Sequence, residues 1–244
     1  MMIQVKNLIK RFGQKTVLRR LNFSVAAGEF VAFLGPNGAG KTTFLRILAS
    51  LSRPTLGEVN IAGHQLPAQA TAVRKRLGVV SHLPLLYGDL SAEENLRFFG
   101  MLYSISNARG RIAEVLSLIG LSHRKSDLVR TFSRGMQQRL AIGRAILHDP
   151  DILLLDEPHT GLDQDACDML DGVLLQVASL GRTVVMTSHD LARAAKLAKR
   201  FDVLSRGVIL ASKHRDELAQ DELLAFYRQT LETASSRAKK DQSQ

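Results

Sequence analysis

The chain has 244 residues, of which 45% are hydrophobic and 23% are charged, as in an ordinary globular protein with a large core. It contains no run of about 18 apolar residues, so the sequence predicts no membrane-spanning helix. A single cysteine, Cys167, excludes an internal disulfide and a cysteine-rich metal site. These features together favour a cytoplasmic location.

The formal net charge of +10 suits a nucleic acid, an acidic lipid surface or a polyphosphate as ligand, or simply a solvated surface. Basic residues are scattered, apart from small clusters at Arg74–Arg76 and Arg237–Lys240. The sequence has no basic arm interleaved with aromatic residues and no tryptophan. We therefore expect no nucleic-acid partner.

The first part of the chain predicts a β-rich segment and one helix. A turn signal at Gly13 separates the first two strands, and Gly63 ends the last one. The predicted strands are Ile3–Leu8, Thr16–Val25, Phe30–Leu34 and Glu58–Ile61, and the helix is Thr42–Ala49.

The rest of the chain alternates helical patterns with short, continuously apolar strands, as in a parallel sheet covered on both faces. It begins with a capping-box sequence at Ser91–Glu94. Helices are then predicted at Gly110–Ile119, Ser133–Leu147, Asp163–Leu180 and Leu191–Ala198, strands at Ile152–Leu155 and Thr183–Thr187, a hairpin at Phe201–Ala211, and an amphipathic helix from Glu217. We expect one α/β domain over residues 1–234, with a helical subdomain at about 83–147 and a polar, disordered tail at 235–244.

A phosphate-binding loop is the strongest motif. Residues Gly35–Thr43 match the pattern G-x-x-x-x-G-K-[ST], between an apolar strand and a helix. The glycines let backbone N–H groups converge on phosphate oxygens, and the helix offers its N-terminal dipole. Lys41 is expected to reach the β- and γ-phosphates, and the Thr42 hydroxyl to bind Mg²⁺. The predicted nucleotide-binding residues are Gly35, Pro36, Asn37, Gly38, Ala39, Gly40, Lys41, Thr42 and Thr43.

Two carboxylates, Asp156 and Glu157, follow the predicted strand Ile152–Leu155. Asp156 suits a ligand that holds Mg²⁺ through water. Glu157 suits a catalytic group that orients or deprotonates the attacking water. By themselves the two acids and the following proline are also typical of a turn. Their combination with a phosphate-binding loop favours a hydrolytic site.

Two further segments lie where ligands are expected. His189 follows the next apolar strand, at the edge where open α/β sheets bind ligands, and can link a γ-phosphate oxygen to Glu157. Ser133 and Gly135 lie at the tip of a predicted helix, which is an anion site, although capping alone also explains Ser133. A second phosphate site makes sense if it serves the nucleotide of another subunit.

These motifs, in this order, resemble those of the nucleotide-binding subunits of ABC transporters, and the resemblance runs from about Ile3 to Ala211. It implies a P-loop NTPase with a RecA-like core, an N-terminal antiparallel β subdomain and a helical insertion, and it implies ATP hydrolysis. Gly35–Thr43 resembles Walker A, Ile152–Glu157 Walker B, Phe132–Arg139 the LSGGQ signature, Thr160–Asp163 the D-loop, and His189 the switch histidine.

The resemblance also implies partners. Two nucleotide-binding domains are expected to dimerise head to tail, with ATP between one P-loop and Ser133 and Gly135 of the opposite copy. Phe12 matches the aromatic residue that stacks on adenine, with a core phenylalanine as the alternative, and Asp163 is expected to contact the opposing subunit. A separate membrane permease is expected to dock near Leu83–Tyr87, which places the chain on the inner face of the cell membrane.

Three features depart from the family pattern. The signature has Phe132, Arg134 and Met136 in place of the usual Leu, Gly and Gln. His159, just before the D-loop, has no assigned role. His82 occupies the position of the Q-loop glutamine, which contacts Mg²⁺ and the attacking water, and we predict it as a third catalytic residue.

Within the family, residues 82–99 and the single-domain length resemble the ATP-binding subunit of the haem exporter of cytochrome c maturation. The alternatives are another bacterial ABC export system, a non-transport ABC ATPase acting on DNA or ribosomes, and a regulatory ATP-binding module without turnover. The presence of Lys41, Asp156, Glu157 and His189 favours turnover.

We predict that ATPase activity decreases as the pH falls through the titration range of histidine, which is centred at about pH 6.5. The reason is that protonation of His82 replaces a neutral hydrogen-bonding group by a cation at the Mg²⁺ position. The measurement is kcat against pH for the wild type and a His82→Gln variant, in which the decrease is absent. Coinciding profiles would contradict the prediction.

Overall fold

Two β-sheets organise the chain in a computed structural model that describes residues 1–81, 83–219 and 222–241, without the side chains of 237–241. The antiparallel sheet has the order β2-β1-β4-β5 and consists of β1 (Ile3–Phe12), β2 (Lys15–Val25), β4 (Leu56–Ile61) and β5 (His64–Leu66). The second sheet has the order β10-β9-β3-β8-β7-β6 and consists of β3 (Phe30–Leu34), β6 (Leu77–Val80), β7 (Ile152–Asp156), β8 (Thr183–Ser188), β9 (Arg200–Ser205) and β10 (Val208–His214). Its strands are parallel except β10, which pairs antiparallel with β9.

Helices cover the second sheet and connect its strands. They are α1 (Lys41–Leu48), α2 (Ala70–Lys75), α3 (Ala92–Leu102), α4 (Ala108–Leu118), α5 (Arg134–Ile146), α6 (Gln164–Ser179), α7 (Leu191–Leu197) and α8 (Glu222–Asp241). Helices α3 to α5 lie between β6 and β7 in the chain and correspond to the predicted helical insertion. Within the part of the chain that the structure describes, no helix has the length and apolar character needed to cross a bilayer.

Helix starts follow from local sequence. The Ser91 hydroxyl accepts a hydrogen bond from the Glu94 backbone N–H, and the Glu94 carboxylate accepts one from the Ser91 N–H, so the predicted capping box before α3 is confirmed. Ser133 caps α5 and Asp190 caps α7 by the first of these bonds alone, since their side chains accept from the N–H groups of Met136 and Arg193. Caps of this kind contribute about 1 kcal/mol each, because they satisfy backbone donors that the helix itself leaves unpaired.

The parallel strands β3, β7 and β8 of the second sheet are buried along their whole length, which explains why their sequences are continuously apolar. Side chains alternate between two cores along each strand. In β3, Val31 and Phe33 face the core shared with α1, α2 and the antiparallel sheet, whereas Ala32 and Leu34 face the core shared with α3 to α8. The sheet therefore separates two hydrophobic cores.

Three phenylalanines join the antiparallel sheet to the second sheet and the phosphate-loop helix. Phe23 of β2 makes edge contacts with Phe33 of β3 and Phe44 of α1, at ring-centroid distances of 5.5 and 5.1 Å. Phe33 and Phe44 stack at 5.0 Å. Such pairs contribute about 0.5–1.5 kcal/mol each beyond the burial of their area. The cluster fixes the start of α1 against the sheet.

The predicted fold class is confirmed, and most predicted elements lie where the sequence indicates. The first strand continues to Phe12, because pairing with β2 extends up to the turn at Gly13. The sequence analysis missed β5, β6 and α2, which are too short to produce a clear periodicity.

The C-terminal helix differs from its prediction at both ends. It begins at Glu222 rather than near Glu217, and it continues through residues 235–241, where a disordered tail is predicted. Ala, Arg and Lys in this stretch have high helix propensity. The prediction of disorder considered only the polar composition of the stretch. Residues 242–244 lie outside the described residues, and the domain limits remain predictions.

We predict opposite stability effects from alanine at two glycines. At Gly78 in β6, a methyl group would overlap the Ala145 carbonyl oxygen and lie 2.6 Å from Leu153 Cδ2, so Gly78→Ala should reduce the free energy of unfolding by about 2 kcal/mol. At Gly172 in α6 nothing lies within 4 Å of the added methyl, and Gly172→Ala should raise this free energy by about 0.5–1 kcal/mol. Denaturant unfolding followed by circular dichroism measures both, and equal stabilities would contradict the packing described.

Candidate active site

The site is built where three parallel strands end. β3, β8 and β7 are neighbours in the sheet, with Leu34 opposite Ser188 and Thr187 opposite Asp156. Because parallel strands end at one edge, the loop after β3, the acids after β7 and the histidine after β8 meet there. The structure thus brings together the predicted phosphate loop, Asp156, Glu157 and His189.

Lys41 opens α1 and is directed back over the loop that precedes it. Its side chain is only 6% exposed, and Nζ donates hydrogen bonds to the carbonyl oxygens of Gly35, at 2.7 Å, and Pro36, at 3.4 Å. Nζ also lies 3.3 Å from Glu157 Oε1. The ammonium group therefore sits between the phosphate loop and the second acid of the site.

Asp156 and Thr42 supply oxygen atoms at one point of the site. Asp156 Oδ1 accepts hydrogen bonds from the hydroxyls of Thr42, at 3.2 Å, and Thr187, at 2.8 Å. A carboxylate and a hydroxyl are hard oxygen donors of the type that Mg²⁺ prefers when phosphate oxygens and water complete its coordination. The donor set fits Mg²⁺.

Glu157 is held from several sides. Its backbone N–H donates to Thr187 Oγ1 at 2.9 Å, and its Oε2 lies 2.7 Å from His189 Nδ1 and 3.4 Å from the Thr160 hydroxyl, which donates to it. Its φ of 49° lies in the left-handed region, which a non-glycine residue adopts only when its surroundings enforce it. Strand pairing and these contacts aim the carboxylate at the end of the phosphate loop.

Electrostatics keep Glu157 ionised. Burial alone would raise the pKa of this carboxyl, but the His189 hydrogen bond and the charge of Lys41 together outweigh burial, so that the pKa lies below its usual value. His189 itself is 60% exposed on its side chain, so its outer face is open to solvent. A charged carboxylate with a solvent-accessible histidine beside it can accept a proton from water.

A cavity of about 670 Å³ lies over the phosphate loop, large enough for a nucleotide. Phe12, 55% exposed, lines this cavity rather than the core, as the adenine-stacking prediction requires. Lys10 Nζ lies over one face of the Phe12 ring, 4.7 Å from its centroid. The cavity is lined by the predicted residues Phe12, Pro36, Asn37, Gly38, Ala39, Gly40, Lys41, Thr42, Thr43 and Glu157, and also by Lys15, Thr16, Val17, Arg19 and Arg206.

Three cations of this cavity were not found by sequence reasoning. Lys15 and Arg19 belong to β2, and Arg206 lies in the turn between β9 and β10. The position of Lys15 in the cavity can be inferred from the sequence, because Lys15 pairs with Phe12 across the predicted hairpin. Arg206 approaches only through the pairing of distant strands, which no local pattern indicates.

The signature segment lies to one side of this cavity. Among the described residues, neither Ser133 nor Gly135 lines the nucleotide cavity of its own chain. Ser133 is exposed and its hydroxyl accepts from the Met136 N–H at 3.2 Å, whereas Gly135 is buried where a methyl group would lie 2.7 Å from Ala166 Cβ. Arg134 packs over the D-loop glycine, Gly161.

Two predicted residues remain. Asp163 caps α6, and its Oδ1 accepts from the Ala166 N–H at 2.8 Å. His82, predicted as the third catalytic residue, lies outside the described residues, so its role stays a prediction.

Comparisons with known proteins identify the family. The family model described as ABC transporter matches residues 18–160. A linearmycin resistance ATP-binding protein, LnrL, from Bacillus subtilis is 34% identical over 219 residues, which cover 89% of this chain and 70% of that protein. A Nod factor export ATP-binding protein from Burkholderia orbicola is 38% identical, covering 91% and 73%, and a daunorubicin resistance ATP-binding protein from Streptomyces coeruleorubidus is 38% identical, covering 88% and 69%. None of these three is named as a haem exporter.

Solved structures agree. An ATP-binding subunit of an ABC transporter superposes with a TM-score of 0.82 at 30% identity, covering 93% of this chain and all of that one. A dimeric ATP-binding cassette bound to ADP and Pi in a post-hydrolysis state gives 0.78 at 29% identity, covering 88% and 99%. The chain therefore belongs to the ABC transporter family and is one of its ATP-binding, ATP-hydrolysing subunits.

Proposed function

We propose that the chain hydrolyses ATP at the edge formed by β3, β8 and β7 and thereby drives a bacterial export system through a separate membrane permease. The observation that carries the catalytic part is the position of Glu157. Its two carboxylate oxygens contact Lys41 and His189, and its main chain is fixed to Thr187. This is the arrangement expected of a group that receives a proton beside a phosphate site.

In this reaction, water attacks the γ-phosphorus, the bond from that phosphorus to the β–γ bridging oxygen breaks, and ADP and phosphate leave. Lys41 and the loop amides hold the β- and γ-phosphates, which exchanges the Lys41 contact with Glu157 for contacts with phosphate oxygens. Glu157 orients the water and accepts its proton, and His189 contacts the γ-phosphate. Thr42 and, through water, Asp156 would hold Mg²⁺, which would neutralise the charge of the phosphates.

The signature segment supports a dimer as the working form. Ser133 is exposed at the N-terminus of a 13-residue helix, yet it lies outside the nucleotide cavity of its own chain. A helix N-terminus with exposed donors suits a phosphate group of a second copy. One related structure, bound to ADP and Pi, is dimeric. We infer that Ser133 and Gly135 complete the site of the opposite copy and that Asp163 contacts that copy.

The permease is proposed to dock beside the Q-loop. Leu83 and Tyr87 are 56% and 50% exposed, and Leu85 is also exposed, so this segment offers apolar surface instead of core. Such an exposed apolar patch is typical of a protein interface. Docking there places the chain in the cytoplasm, peripheral to the membrane.

For the transported cargo, the proposal specifies export by a bacterial ABC system and names no particular compound. Relatives carry names for Nod factor export, linearmycin resistance and daunorubicin resistance, which supports the broader alternative of a bacterial ABC exporter. They give no support to haem export in cytochrome c maturation.

We predict that Glu157→Gln lowers kcat for ATP hydrolysis by about 100-fold or more, because the amide cannot accept the proton, while ATP binding persists. Phosphate release and equilibrium binding of a fluorescent ATP analogue measure the two effects. The matched control is Glu114→Gln, at a 69% exposed carboxylate on α4, which should behave as wild type. Undiminished turnover in Glu157→Gln would refute the catalytic assignment.

We also predict that the tagged chain co-purifies from membranes with an integral membrane protein, identified by mass spectrometry. Leu83→Asp should abolish this association, because a charge replaces apolar contact area. Leu51→Asp, at a residue that is 62% exposed elsewhere, is the control and should leave the association intact. Equal recovery with both variants would exclude the proposed docking surface.

A further inference from the structure

A buried charge cluster lies directly behind Glu157 and His189. Its centre is Asp171 of α6, whose side chain is 1% exposed. Asp171 Oδ1 lies 2.8 Å from His159 Nε2, and Asp171 Oδ2 accepts hydrogen bonds from Arg193 at 2.8 Å and Lys196 at 3.1 Å. A buried carboxylate is tolerated only when such partners compensate for its lost hydration.

The two loops of the active site are both attached to this cluster. His159 lies two residues after Glu157, and Arg193 lies four residues after His189, so one carboxylate anchors the chain on both sides of the Glu157–His189 pair. The loop that carries His159 is also held by its own hydrogen bonds. The His159 carbonyl oxygen accepts from the Leu162 N–H at 3.2 Å. The next residue, Thr160, donates to the Glu157 carboxylate.

The surroundings of His159 determine how its ring is protonated and hydrogen-bonded. The Asp171 carboxylate can only accept, so Nε2 of His159 carries a hydrogen. Burial and the nearby charge of Arg193 keep the pKa of His159 below its ordinary value, despite the carboxylate of Asp171. Nδ1 is buried and has no hydrogen-bond partner among the described residues. The charged groups that act on the ring are Asp171 of α6, Arg193 of α7 and Asp190, the N-cap of α7. Around them, Asp168 pairs with Arg193 and Lys196, and Cys167 Sγ lies 3.9 Å from the His159 carbonyl oxygen.

We infer that His159 is a positioning residue for ATP hydrolysis, which through its hydrogen bond to Asp171 fixes the segment carrying Glu157 in register with the segment carrying His189. The inference rests on the proposed role of Glu157. A cavity of about 220 Å³ borders Glu157, His159 and His189, so without the anchor this segment has room to move. Displacement of a catalytic group by about 1 Å slows turnover strongly but leaves the phosphate grip of Lys41 intact.

The test compares three substitutions in the full-length protein. His159→Leu removes the donor to Asp171 and should lower kcat about 10-fold, with KM for ATP within about twofold of wild type. His159→Gln places an amide N–H where Nε2 lies and should restore kcat to within about threefold of wild type. His159→Asn has the same chemistry, but its amide falls where Nδ1 lies and does not reach Asp171, so its kcat should stay as low as that of the leucine variant.

The ordering of kcat decides the matter even if His159→Leu does not fold, because the two amide variants differ only in reach. Wild-type kcat in His159→Asn would overturn the inference. So would equal kcat in both amide variants, or a loss that appears in KM rather than kcat, since these results indicate packing alone. Glu157→Gln run in parallel separates the two proposals: its retained turnover defeats the proposed function, whereas its loss beside normal His159 variants defeats only the positioning role.

Discussion

The parallel pairing of β3, β8 and β7 is the constraint on which the rest of the structure depends. It brings together the ends of three strands that are far apart in the chain, so that Thr42, Asp156 and Thr187 share one hydrogen-bonded point. If a strand shifted by one residue, its side chains would exchange faces, the two cores would lose their apolar surfaces, and Asp156 would point away from Thr42. The burial of the sheet on both faces therefore protects the geometry of the site.

Charge is arranged in two layers behind this edge. The outer layer consists of Lys41 and Glu157, which line the nucleotide cavity, and His189, which is exposed to solvent. In the inner layer, Asp171 is closed off from solvent and is neutralised by Arg193 and by Lys196, which is itself half exposed. An ion pair in the outer layer can exchange partners at low cost, whereas one in the inner layer cannot be broken without stranding a buried charge. A layer whose ionic contacts can change during turnover thus lies next to a layer whose contacts are fixed.

The sequence predicts those parts of the site that local chemistry defines. The phosphate loop needs its glycines and Lys41 in consecutive positions, and Asp156 follows an unmistakably apolar strand. By contrast, the bond from His159 to Asp171 joins a loop to a helix face, and its donor and acceptor are identified only once α6 is packed. Arg206 reaches the nucleotide cavity through strand pairing for the same reason. Short strands such as β6 have too few residues for any periodicity.

The separation of the two cores by the central sheet has a consequence for divergence within the family. Helix α1 packs in one core with the antiparallel sheet, whereas α3, α4 and α5 pack in the other. Substitutions that reshape the helical layer are therefore absorbed on the far side of the sheet from the phosphate-loop helix. The exposed face of that layer can therefore change in evolution without disturbing the packing that holds the phosphate-loop helix.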